Sequence, residues 1–168
     1  MPIYTKIGDK GETRVFDPKT KKLIPISKTS KKIDTIGTID ELNSLLGVIG
    51  GLTNIQSDLF TINAILAGTK LQFSKAKTKK LEKEIDKLEG ILPVQKNFIY
   101  YGGTPKATFL FFARSVARRA ERSLVELAKE EKIPEAIAVY FNRLSDYLFI
   151  KAREINFTSG ISEKAWRR

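Results

Sequence analysis

Cysteine and histidine are both absent from the 168 residues, and methionine and tryptophan occur once each. Without thiols there is no disulfide, no cysteine nucleophile and no thiolate for a metal. Without imidazole the usual acid or base of neutral pH and the commonest zinc ligand are gone as well. Any chemistry here runs on positioning, fixed charge and carboxylates. Acidic residues are scarce too, 19 against 30 lysines and arginines, and the net charge of +11 favours anionic partners such as nucleotides, nucleic acid or an anionic membrane. No apolar run approaches the ~20 residues that a membrane span needs, and the opening Met1-Pro-Ile-Tyr4 has no apolar signal region, so a cytoplasmic location is the expectation.

What is present suits one domain over residues 1–168, with 42% hydrophobic and 29% charged residues. Residues 1 to about 30 show no helical period and contain Gly8, Gly11, Pro18 and Pro25, which predicts an arm lying across a helical body formed by 31–168. In the arm, Tyr4-Thr5-Lys6-Ile7-Gly8-Asp9-Lys10-Gly11-Glu12-Thr13 sets glycines beside lysines and hydroxyls. Glycines let successive N–H groups turn inward, so the stretch fits an anion cradle, although a plain β-turn on Asp9-Lys10-Gly11 fits equally.

Five helices are predicted after the arm, with no convincing sheet. Ile33, Ile36, Ile39, Leu42, Leu46 and Ile49 recur every three or four positions until Gly50-Gly51 stops them, and Asp40, Asn43, Ser44 and Gly47 share another face. Asp40 lies in a mostly apolar stretch and wants a cation. A second helix, capped by Thr53 or Asn54, runs through Gln56, Leu59, Phe60, Ile62, Ile65 and Leu66. A lysine-rich third, Lys75 to Lys87, carries only Leu81, Ile85 and Leu88 as a stripe. Gly102-Gly103-Thr-Pro105 leads into a fourth, to about Lys129, and Pro134 opens a fifth with the stripe Ile137, Phe141, Leu144, Leu148 and Ile155. Asn142, Asp146, Phe149 and Arg153 fall on its opposite arc, where they would be solvated or would line the same cleft as the arginines. The pattern is all-α, a five-helix bundle of four-helix-bundle-like, ferritin-like kind, with a long connection around Lys70 to Thr78.

The fourth helix carries Arg114-Ser-Val-Ala-Arg118-Arg119-Ala-Glu121-Arg122. At about 100° per residue, Arg114, Arg118, Glu121 and Arg122 share a third of the circumference, opposite a core face of Phe109, Ala113, Val116, Ala120, Leu124 and Leu127. A solvated basic stripe is one reading. The choice of arginine in a lysine-rich chain points instead to bidentate grip on an oxyanion or to a buried ion pair.

Three separated segments, Tyr4 to Thr13, Gly37-Thr-Ile-Asp-Glu-Leu-Asn43, and Arg114 to Arg122 with Asn142-Arg-Leu-Ser-Asp146, resemble the PduO-type ATP:cob(I)alamin adenosyltransferases. The resemblance covers essentially the whole chain. It implies a homotrimeric five-helix bundle of the cobalamin adenosyltransferase type with active sites between subunits. The implied reaction is attack by the cobalt(I) of a reduced corrinoid on the 5′ carbon of ATP, with magnesium carried on the phosphates rather than held by protein side chains. Such a nucleophile needs no histidine or cysteine to activate it, which agrees with the composition.

Residue by residue, the resemblance implies that Thr5, Lys6, Gly8, Asp9, Lys10, Gly11 and Thr13 form the triphosphate loop, with Lys28 as a further contact. Arg118, Glu121, Arg122 and Asn142 would complete the ATP site, with Arg119 secondary. Asp40 and Arg114 match a salt bridge across the subunit interface beside the corrinoid, and Phe98 matches an aromatic that displaces the lower ligand of cobalt. Arg118, Phe98, Asp40 and Arg114 are thus the expected catalytic set. This chain departs from the family at Ile36, where an aromatic is usual, and at Tyr100-Tyr101, where Leu-Pro is usual. Two other readings are a basic helical module for nucleic acid, which the carboxylates among the arginines disfavour, and a non-catalytic carrier of the finished cofactor.

Overall fold

The computed structural model describes Tyr4, Lys6 and residues 8–167. Capping chemistry sets the helix starts. The Ser30 hydroxyl accepts from the Ile33 N–H to open α1 (Lys31–Ile49), and Ser74 does the same through Ala76 for α3 (Lys75–Glu89). Thr104 accepts from Ala107, with Pro105 in the first turn, to open α4 (Pro105–Leu127). α5 (Glu135–Thr158) follows Pro134. α2 (Thr53–Leu66) begins without a side-chain cap, because buried Leu52, not Thr53 or Asn54, stands at the cap position and anchors the start by packing.

One apolar cluster runs through the body. Ile39, Leu42 and Leu46 of α1, Leu59 and Ile62 of α2, Leu110, Val116 and Leu124 of α4, and Ile137, Phe141, Leu144 and Leu148 of α5 all belong to it. α1 lies between α2 and α4, α4 packs on α5, and α5 on α3. α1 and α4 are antiparallel, since Lys31 at the start of α1 meets Glu126 and Glu130 near the end of α4, while Glu41 pairs with Arg119 further along. α5 is tied to α2 by the Tyr140 hydroxyl, which donates to Asp58 at 3.0 Å, and Lys77 of α3 pairs with the same carboxylate. Burial pushes the Tyr140 hydroxyl pKa far upward, with the Asp58 charge adding to the effect, so Tyr140 stays a donor.

The arm departs from expectation. It contains a two-stranded antiparallel sheet, β1 (Glu12–Asp17) and β2 (Lys22–Ser27), in which Thr13 faces Ile26 and Val15 faces Ile24. Glycine and proline suggested irregular chain, but both prolines sit where a strand tolerates them. Pro18 is in the turn, and Pro25 faces Arg14 in a ribbon whose strands are both edges. The turn is held by Asp17, whose carboxylate accepts from the Thr20 hydroxyl at 2.7 Å and the Lys19 N–H at 2.9 Å. Those bonds keep its pKa below the ordinary value. The ribbon docks on the end of α2, where the Phe16 N–H donates to the Ala67 carbonyl at 2.9 Å. Gly68, at φ 102°, makes this approach possible, because a Cβ there would lie 1.7 Å from the Phe16 carbonyl oxygen.

Two further expectations are corrected. Phe109, placed on the core face of the fourth helix, is exposed, and Leu110 and Phe111 fill the core at that level of α4. The connection expected at Lys70 to Thr78 ends at Ser74, and the longer link is 90–104, between α3 and α4. Arg153 is not solvated: it is buried at 5% exposure and lines a cleft with Arg114, the other position its arc allowed.

Candidate functional site

α4 divides its arginines by direction. Arg114 turns toward α5 and the preceding loop, with its guanidinium carbon 5.4 Å from the ring centres of both Tyr101 and Phe149 and one nitrogen donating to the Tyr101 hydroxyl at 3.2 Å. Arg119 turns the other way and pairs with Glu41 of α1, which answers why a fourth arginine stands in the run. Arg118 and Arg122 lie between these directions, exposed and in no ion pair among the described residues. Beside them the Asn142 amide of α5 donates to Glu121 at 3.1 Å, which brings those two predicted residues together. Asp40 is exposed and, within the described residues, pairs with no cation. Arg114 and Asp40 thus do not meet inside one chain.

On the Arg114 side, a cleft of about 1070 Å³ opens between α3, α5 and the loop before α4. Tyr101 and Phe111 stack at 4.9 Å and Phe149 closes against both, giving an aromatic floor. Phe98 stands at the rim, 77% exposed, and Asp146 lines the wall while paired with Arg143 at 3.0 Å. Arg143 reaches on to Glu82 of α3. Phe98, Arg114 and Tyr101 therefore share one cleft, whereas Ile36 lies on α1 with its carbonyl accepting from Asn63 of α2.

The arm residues gather at the bundle end where α1 starts. The Lys28 ammonium donates to the Gly8 carbonyl at 2.7 Å, and the Lys28 N–H donates to the Gly11 carbonyl at 2.9 Å, folding the Gly8 to Gly11 loop onto the base of β2. Gly11 takes φ 84°, Lys6 sits 5.9 Å over the Tyr4 ring, and Asp9, Lys10 and Thr13 flank the turn. Thr5 lies outside the described residues. No hydrogen bond or ion pair among the described residues joins this loop to Arg118, Arg122 or Asn142. Within the described residues the arm loop and the α4 arginines are thus not bonded to one another.

The loop bearing Phe98 is held by Arg153, already placed on the α5 arc, and by Asn156, which sequence reasoning missed. Arg153 donates to Glu163 at 2.6 and 3.2 Å and to the Pro93 carbonyl at 2.9 Å, so a buried guanidinium ties both the loop and the C-terminal tail to α5. Asn156 bridges the next stretch, donating to the Gly102 carbonyl at 2.8 Å and accepting from the Thr104 N–H at 3.0 Å. A cation beside Phe149 on one arc of α5, with a glutamate ten positions later, was the available signal. No helix among the described residues is long and apolar enough to cross a membrane.

Fold and site define a class: a five-helix bundle with a cationic arm, in which one helix separates an aromatic cleft from a face suited to polyphosphate. A family model described as cobalamin adenosyltransferase matches residues 3–155. A corrinoid adenosyltransferase of Bacillus subtilis (strain 168) is 37% identical over 186 aligned positions, spanning 100% of this chain and 93% of that protein. The corrinoid adenosyltransferase PduO of Citrobacter freundii is 38% identical over 91% of this chain and 49% of its own length. Among solved structures, a variant PduO-type ATP:corrinoid adenosyltransferase from Lactobacillus reuteri, complexed with cobalamin and ATP, superposes with a TM-score of 0.91 at 34% identity, covering 99% of this chain and 100% of that one. The chain belongs to the cobalamin adenosyltransferase family.

Proposed function

We propose that this protein transfers the 5′-deoxyadenosyl group of ATP to the cobalt(I) of a reduced corrinoid, giving adenosylcobalamin and triphosphate. The observation that carries the reading is the division of α4, with Arg114 set into a cleft of about 1070 Å³ with an aromatic floor and Arg118 and Arg122 left unpaired, among the described residues, beside Glu121 and Asn142. The corrin ring would lie in the cleft and ATP across Arg118 and Arg122. Cobalt(I) supplies its own electron pair to the 5′ carbon, and the bond to the triphosphate oxygen breaks. The protein's work is to align the two and to stabilise the charge gathering on the leaving group.

In this reading Lys6, Gly8, Asp9, Lys10, Gly11, Thr13 and Lys28, with Thr5, hold the triphosphate. Their ammonium, hydroxyl and backbone N–H groups suit phosphate better than a divalent cation, so magnesium would arrive on the nucleotide. Phe98 displaces the lower ligand of cobalt, which eases reduction to cobalt(I).

We further infer a homotrimer. Among the described residues no bond joins the arm to Arg118 or Arg122 of the same chain, and Asp40 is exposed without a cation while Arg114 points into the cleft. A neighbouring subunit would complete both. Each chain would act as a single domain, working in the cytoplasm. The test is incubation of folded protein with ATP, magnesium and chemically reduced cobalamin. A light-sensitive alkylcobalamin and stoichiometric triphosphate are expected, and binding of both substrates without product would leave only a carrier.

A further inference from the structure

Phe98 borders two concavities, the aromatic cleft on one side and, on the other, a groove of about 650 Å³ between residues 95–98 and the C-terminal tail. We propose that this second groove receives the base and phosphodiester of the corrinoid's nucleotide tail after Phe98 has displaced that base from cobalt. The proposal rests on the ligand-displacing role given to Phe98 above.

The groove is built by backbone pairing. The Trp166 N–H donates to the Phe98 carbonyl at 2.7 Å, Ile99 and Ala165 form an antiparallel bridge, and the Tyr100 N–H donates to the Lys164 carbonyl at 2.9 Å. Residues that face each other across antiparallel chains put their side chains on one side, so Phe98 and Trp166 project together, as do Tyr100 and Lys164. The second pair bears this out, with the Lys164 ammonium 5.4 Å from the Tyr100 ring centre. Ile99, one residue out of phase, packs against the core instead. Glu163, clamped by Arg153, fixes the tail just before this ladder, and Pro93, bound by the same guanidinium, fixes the loop just before Phe98. Both walls are therefore set by one buried arginine.

The lining chemistry matches what is displaced. A benzimidazole-type base is a flat aromatic, and the chain's one tryptophan, 42% exposed, lines the groove on the segment paired with Phe98. The base is tethered through a phosphodiester anion, and the remaining cations on the groove are Lys96 and Arg167. A base pushed from beneath the cobalt by Phe98 leaves on the side of Phe98 away from the ring. That side is this groove.

The test compares two corrinoids, cob(II)alamin and cob(II)inamide, the latter having the same ring but no nucleotide tail. Each is titrated into wild type, Trp166→Ala, Trp166→Phe and Lys96→Ala/Arg167→Ala in the presence of ATP. Affinity and the absorption and EPR signature of four-coordinate cobalt(II) are read together. Trp166→Ala is expected to weaken cobalamin binding about tenfold, the order expected for loss of one stacked base, while cobinamide binding stays within about twofold. Trp166→Phe should restore most of the loss, and the double variant should reduce the salt dependence of cobalamin binding alone. Equal weakening of both corrinoids, or of neither, overturns the proposal and leaves Trp166 a buttress for Phe98. A wild type that never forms four-coordinate cobalt(II) from cobalamin overturns it by a different route, since the role of Phe98 then fails first.

Discussion

Arg118 and Arg119 are neighbours in sequence with opposite fates. One is bound to Glu41 and the other is left facing solvent beside the Glu121–Asn142 pair. Only the second has its donors available for a phosphate. Arg118→Ala is therefore expected to lower kcat by about 10²–10³, the size found when one preorganised donor to developing charge is lost. Arg119→Ala should cost far less, and steady-state kinetics with saturating corrinoid separates the two. Phe98→Ala should leave ATP affinity unchanged and lower the rate from cobalt(II) while sparing the reaction from chemically supplied cobalt(I). Equal rates from both oxidation states would remove the ligand-displacing role. Gly68→Ala tests structure rather than chemistry. Overpacking against the Phe16 carbonyl and a left-handed φ of 102° together should cost about 2–4 kcal/mol in thermal unfolding, with the hairpin the first segment cut by protease. The clustering of the arginines was legible from helical spacing alone. Which of them is neutralised was not, because Glu41 lies 78 positions away from Arg119 and only packing of α1 on α4 brings them together.

At the level of elements, the helices were legible and the ribbon was not. Stripes such as Ile39, Leu42 and Leu46 repeat at the helical period and are buried as that period demands. β2 exposes most of its side chains and contains proline, so its strand character comes from pairing with β1 rather than from burial. Phe109 failed as a core residue for a related reason, since an apolar side chain on a helix edge is placed inside or outside by its neighbours. The contact between the start of α1 and the end of α4 yields a pH prediction. Hydrogen bonds to Glu130 and Glu126 raise the Lys31 pKa, so its contribution is present below the ordinary lysine range and is lost as pH rises through the raised value. Hydrogen bonds from Lys129 and Lys31 lower the Glu126 pKa, so its contribution is present above the ordinary glutamate range and is lost as pH falls through the lowered value. The difference in unfolding midpoint between wild type and Lys31→Met should be greatest near neutrality and shrink at both extremes. It should also shrink in high salt, because these groups are exposed.

At the scale of the whole molecule, the exposed side of α1 and α4 is the surface on which the proposed trimer would form. Glu41 and Arg119 mark where the two helices meet. Seven residues onward in α1 is Val48 and seven back in α4 is Phe112, both largely exposed, and between the two levels lie the small residues Ser44, Gly47 and Ser115. A surface that is apolar at one end, small in the middle and ion-paired at the other suits close approach of another helix face, and Asp40 lies at its margin. Arg118 and Arg122 stand along the border of the same surface, so a neighbour seated there would bring its own groups to the arginines. Phe112→Glu and Val48→Arg should therefore shift the solution mass, measured by light scattering on a sizing column, from about three chains toward one. Helical content should be retained, because neither side chain contributes to the core. Adenosyl transfer should fall in step with the trimer fraction, and mixing the Phe112→Glu chain with excess wild type should recover part of it. A monodisperse monomer in the wild type, active at low concentration, would mean instead that one chain closes its own arm over Arg118 and Arg122.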